Sequence, residues 1–165
     1  MRKLLTAIAL AASLATPLGT AHAALLTFDD VPGGSVPGAT GPMPAAYMGY
    51  TFACTGNANC DSIYNYLSWI DSVSWGQGAQ SGNFTLNNPN GGTGVIRAED
   101  GSDFTFDGLW AGAAHGTGPR NGTLRGFNNG VEVWTQTLEL PNTFVGGFVN
   151  FGAMAGAIDE LRLDF

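Results

Sequence analysis

The groups best placed to do chemistry in this chain are two carboxylate pairs, Asp29-Asp30 and Asp159-Glu160. Each follows a short apolar run, Leu25-Leu26-Thr27-Phe28 in one case and Ala157-Ile158 in the other. Four carboxylates gathered at one spot repel one another unless a cation sits among them. A calcium ion takes roughly six to eight oxygens from carboxylates, backbone carbonyls and water. Brought together, Asp29, Asp30, Asp159 and Glu160 would supply most of that shell, so a structural Ca2+ is the metal to expect here. Kept apart, they are ordinary surface acids at strand ends. A second acidic run, Glu99-Asp100-Gly101-Ser102-Asp103, lacks the spacing of an EF-hand loop and reads as a solvated turn.

Sugar recognition needs flat apolar faces for the C–H side of a ring, with amides and hydroxyls beside them for its OH groups. Tyr64, Tyr66, Trp69 and Trp75 fall in one segment rich in Ser, Asn, Gln and Gly, and Trp110 stands at a glycine-rich strand exit. The expected ligand-binding residues are therefore Trp69, Trp75, Gln77 and Trp110. Several aromatics of this stretch are also expected to serve the core, and Tyr64 and Tyr66 share the strand parity that packing requires. His115 and Arg120 lie in one glycine-rich loop and form a candidate site for an anionic ligand group. Catalysis has little support. There is no G-x-S-x-G elbow, no His-rich zinc motif, and no cysteine nucleophile beside a histidine. Acids such as Glu99, Glu132 and Glu139 give a glycosidase no evident pairing.

These groups must be positioned by strands. The 25 glycines, with many Asn, Ser and Thr, cut the chain into short pieces whose apolar residues alternate at period two. Asp103-Phe104-Thr105-Phe106-Asp107 puts two Phe on one face, and Leu161, Leu163 and Phe165 oppose Arg162 and Asp164. Asn128-Asn129-Gly130 supplies the positive φ angles of a tight hairpin between strands at residues 123–127 and 131–138. Further strands are expected at 48–54, 62–70, 84–86, 95–98 and 143–151, the last apolar on both parities and hence central. The irregular stretch 31–44 reads as an ordered loop across one end. Many short strands with frequent turns mean an all-β, antiparallel two-sheet β-sandwich. The closing strand and the Leu25–Asp30 run are expected to lie side by side within it.

Residues 1–23 have the build of a cleaved signal helix. Arg2 and Lys3 precede an apolar stretch that is too short to span a bilayer, and Ala21-His22-Ala23 forms a small-x-small cleavage site. Residues 24–165 then form one domain, secreted or periplasmic. Without the leader, four basic residues face thirteen acids, a net charge of −9 with no lysine. Such a surface disfavours nucleic acid and anionic lipid. In an exported protein Cys54 and Cys60 read as a disulfide pinning a small loop.

The order of motifs is also informative: "LTFDD", a Pro/Gly loop, "YMGYTF", "AQSGNF", "FTFDGLWAG", "GVEVW" and "AIDELRLDF". It resembles the exported jelly-roll domains of bacterial PEP-CTERM proteins, which are similar to galactose-binding-like, non-catalytic carbohydrate-binding modules. The resemblance implies a jelly roll, a glycan or surface-polymer ligand, and a structural calcium near the paired chain ends. That ion would fall to Asp29 or Asp30 of "FDD" and Asp159 or Glu160 of "IDELRL". The sequence shows no Pro-Glu-Pro sorting signal, span or basic tail after the last strand, so the expectation is a free exported protein. A matrix protein acting through protein–protein contacts is the alternative, and a small polysaccharide hydrolase or lyase the third reading.

Overall fold

The computed structural model describes residues 24–31, 40–56, 67–71, 74, 76, 78–88, 92–113, 120–142 and 147–164. These residues contain no helix, and therefore none long and apolar enough to cross a membrane. The described strands are β1 (Thr40–Pro42), β2 (Tyr50–Thr55), β3 (Ser68–Asp71), β4 (Phe84–Asn87), β5 (Thr93–Ala98), β6 (Phe104–Ala111), β7 (Arg120–Asn128), β8 (Val131–Leu140), β9 (Val149–Ile158) and β10 (Glu160–Asp164). They form three antiparallel sheets, ordered β2-β5-β10-β7-β8, β1-β3-β4 and β6-β9.

β10 is the middle strand of the largest sheet, and its alternation explains why. Leu161 and Leu163 are buried on one face, while Arg162 and Asp164 stay half-buried on the other. Both of its edges are taken, one by β5 and the other by β7. Residues 24–31 form no strand, so the expected side-by-side pairing of the two terminal segments does not occur. The hairpin between β7 and β8 forms as its sequence demands, with positive φ at Asn129 (51°) and Gly130 (76°).

The two-stranded sheet faces the five-stranded one across a shared core. Phe104 and Phe106 of β6, with Phe151 and Ile158 of β9, pack against Tyr50, Ile96, Leu124, Trp134, Leu161 and Leu163. Thr105, between the two Phe, and Asp107, just after them, face outward, as their parity predicts. A second cluster of Val31, Met43, Tyr47, Leu67 and Trp69 lies under the three-stranded sheet. Leu26, Phe52 and Leu86 touch both clusters and join them. β9 lies later in the chain than the expected strand at 143–151, of which residues 143–146 lie outside the described residues. β1 falls inside the stretch expected to be a loop, and the Trp69 indole covers its Gly41, 2.9 Å from where a Cβ would stand.

Candidate functional site

The four terminal acids do not share a pocket. Asp29 lies over Gly82 at the turn before β4, and its Oδ1 accepts the backbone N–H groups of Asn83 (3.1 Å) and Phe84 (3.5 Å). Asp30 accepts the hydroxyl of Tyr47. That hydroxyl's pKa is pushed up to about 12, first by burial and then by the Asp30 hydrogen bond and charge. Asp159 Oδ2 accepts the N–H of Asn129 at 2.8 Å, at the hairpin turn. Glu160 is buried, and its two oxygens go to Arg162 and Arg97. Burial alone would raise the Glu160 pKa, but the hydrogen bonds and charges of Arg162 and Arg97 outweigh it and hold the carboxyl below its usual range.

Each acid is thus satisfied by protein donors, and no three His, Cys, Asp or Glu among the described residues form a metal-sized group. A structural Ca2+ at these ends predicts that the melting midpoint rises by several degrees between EDTA and millimolar calcium, since linkage to a tight site shifts the midpoint of a domain this size by that much. A shift below about one degree removes the ion.

The aromatic candidates separate cleanly. Trp69 is only 7% exposed, edge-on to Phe84 with ring centroids 6.1 Å apart, so it is a core residue and not a ligand platform. Trp75, Gln77 and His115 lie outside the described residues. Arg120 is exposed at the first position of β7. Cys54 sits on β2 and is not a free thiol, while its expected partner Cys60 lies outside the described residues. The run at 99–103 is the exposed turn expected of it, closed by Asp100 Oδ1 accepting the N–H (2.9 Å) and hydroxyl (2.6 Å) of Ser102.

Trp110 is different. It is 48% exposed, among the most exposed large apolar side chains described. Its neighbours on β6 are turned inward, Ala111 buried and Leu109 packed against the core, so the indole is held on the outer face. Asn150 of β9 stands directly opposite, also exposed. Two positions along, past the inward pair Leu109 and Phe151, come Gly108 and Gly152, both exposed. A Cβ on Gly108 would lie 3.5 Å from Asn150 Oδ1, which places the amide between the indole and the glycine pair, and 3.0 Å from the Phe151 carbonyl. A Cβ on Gly152 would meet nothing within 4 Å. The result is an open surface bearing one aromatic face and one side-chain amide, with an irregular backbone at Gly108 (φ 139°). Nothing in the sequence marks Asn150, because only the pairing of β6 with β9 brings it to Trp110.

A concave site of about 370 Å³ lies elsewhere, between the start of β2 and the turn after β5, lined by residues that include Met48, Tyr50, Glu99 and Asp100. Burial, then the charges of Asp100 and Asp107, raise the Tyr50 pKa above its ordinary value. Comparisons with known protein families, curated proteins and solved structures find no match to this chain.

Proposed function

We propose that this protein is an exported, non-catalytic binding module that takes a glycan or surface polymer on the Trp110 surface. In this reading the three sheets belong to a β-sandwich of the jelly-roll type, residues 1–23 are a cleaved leader, and Cys54 pairs with Cys60. The observation that carries it is the exposed indole of Trp110 beside the Asn150 amide on a surface opened by Gly108 and Gly152. A half-exposed tryptophan on a strand loses apolar burial without structural return, and a sugar ring supplies that burial while its hydroxyls find the amide. The concave site argues for binding over hydrolysis. Its acids Glu99 and Asp100 are adjacent on one turn, whereas a glycosidase needs its two carboxyls across a cleft.

The test is a polysaccharide and glycan array on the purified protein and its Trp110→Ala variant. We expect the variant to bind at least about tenfold more weakly, as the loss of one stacking contact and its buried area implies, with an unchanged melting midpoint. Equal binding by the two proteins would remove the site. A second reading, a matrix protein acting through protein contacts, draws on Val131 (65% exposed) and Val133 (49%) of β8, an edge strand of the five-stranded sheet. It predicts concentration-dependent self-association that Val133→Lys abolishes.

A further inference from the structure

Building on that reading, we infer that the β6–β9 ribbon takes an uncharged polysaccharide along its length, not a single terminal sugar. A site for a chain end needs walls that enclose the last ring. Here the surface beside Trp110 runs on through Gly108 and Gly152, and the backbone of Gly152 is ordinary strand with open space above it. Ala153, Ala155 and Gly156 continue β9 as exposed, small residues. The eight residues of β6 span about 27 Å at the usual strand rise, the length of about five linked pyranose rings. Trp110 lies one residue from the end of β6, so a bound chain meets the indole near one end and, beyond it, an exposed ribbon of small residues whose ladder shifts register between Phe104 and Phe106.

The charge of the ribbon selects the class of polymer. Asp107 is the one ionisable residue on the two strands, and neither carries Lys, Arg or His. A uronic-acid or sulfated chain finds no cation there and meets the Asp107 carboxylate within a strongly acidic protein. A neutral chain offers hydroxyl donors, which the Asn150 Oδ1 and Asp107 oxygens accept.

Gly152→Ile gives a clean probe. Isoleucine favours strands, the Cβ meets nothing, and the branched chain raises an obstruction in the middle of the path. The experiment measures binding of wild type, Gly152→Ile and Trp110→Ala to cellulose, xylan, mannan and β-glucan. Pectate and alginate serve as acidic counterparts. Oligosaccharides of one to eight sugars from the best neutral binder follow. We expect affinity to climb with length to about five sugars, with no competition from the monosaccharide at hundredfold excess. Gly152→Ile should bind the long chain at least tenfold more weakly at an unchanged melting midpoint, and the acidic polymers should not bind. Equal affinity for one sugar and for six, or full binding by Gly152→Ile, overturns the lengthwise site while leaving a Trp110 glycan site standing. Preference for the acidic polymers overturns the uncharged class. Failure of every polymer and glycan to bind overturns both this inference and the functional reading beneath it.

Discussion

Gly126→Ala is expected to destabilise the domain by about 3 kcal/mol, at the upper end of overpacking costs. A Cβ at this position of β7 would stand 2.2 Å from Trp134 Cε2, 2.5 Å from Cζ2 and 2.6 Å from Nε1. The indole cannot easily move away. It is buried on β8 directly opposite Gly126 and packs on Phe106 with ring centroids 5.4 Å apart. The clash is with the body of a ring, not with the tip of a flexible chain. The glycine's own backbone does not require it, because its φ lies outside the left-handed region. Removing the ring should therefore make alanine acceptable. Trp134→Leu alone leaves a cavity and costs about 2–4 kcal/mol, with no hydrogen bond lost, since Trp134 Nε1 has no partner. In that background Gly126→Ala should cost nearly nothing, a coupling of about 2–3 kcal/mol in a double-mutant cycle. Urea denaturation of the four proteins measures it, and additive losses would show that Gly126 serves some need other than space for the indole.

The same parity logic separates what the chain announces from what it hides. β10, and β6 as far as Asp107, are legible residue by residue, because their large apolar side chains alternate with polar ones and only one face can be buried. Past Asp107 the alternation of β6 breaks, with Asp107 and Gly108 both exposed and Trp110 turned outward at the parity of the buried Phe106. The hairpin at Asn129-Gly130 is legible for a different reason, the conformational freedom of its two residues. β9 is hidden. Its run Gly152-Ala153-Met154-Ala155-Gly156-Ala157 holds no β-branched or aromatic residue, and its strand conformation comes from pairing with β6 and the burial of Phe151 and Ile158. β1 is hidden as well, being three residues in a Pro/Gly stretch that pair with β3.

The candidate site divides similarly. Trp69 and Trp110 look alike in sequence, each in a polar or glycine-rich setting, yet the sheet directs one inward and the other outward. The acids at the chain ends were legible as charges but not as contacts, because their partners come from other strands. One signal was available: Glu160 and Arg162 share a parity on one strand, so their side chains emerge on the same face. Arg97 completes the group only because β5 is the strand beside β10. The same outer face carries Arg125, bound to Asp164 at 2.6 Å, while Arg162 also covers the Phe127 ring at 3.9 Å. Arg97, Arg125 and Arg162, three of the chain's five arginines, thus neutralise acids within one sheet.

Glu160 is the keystone of that face, and its removal should give the domain a different response to acid. Glu160→Gln leaves two guanidinium groups beside a neutral amide, and about 2 kcal/mol of stability should be lost at pH 7. That figure is within the range for hydrogen bonds to charged groups and below that for fully buried ion pairs. The discount is needed because the Arg97 and Arg162 side chains are 52% and 35% exposed and regain water when the carboxylate goes. The pH dependence follows from the direction of the shift. The folded-state pKa of Glu160 is depressed below 4.5, so the unfolded chain takes up this proton first as pH falls. The carboxylate's contribution is therefore complete above the ordinary glutamate range, declines below about pH 4.5, and is lost once pH passes the folded-state value. Urea denaturation of wild type and Glu160→Gln from pH 7 to pH 3 should show two curves that stay apart at neutral pH and converge in acid. Curves that remain parallel down to pH 3 would mean that Glu160 contributes through its shape and not through its charge, and the arginine cluster would then be a solvated decoration on the sheet.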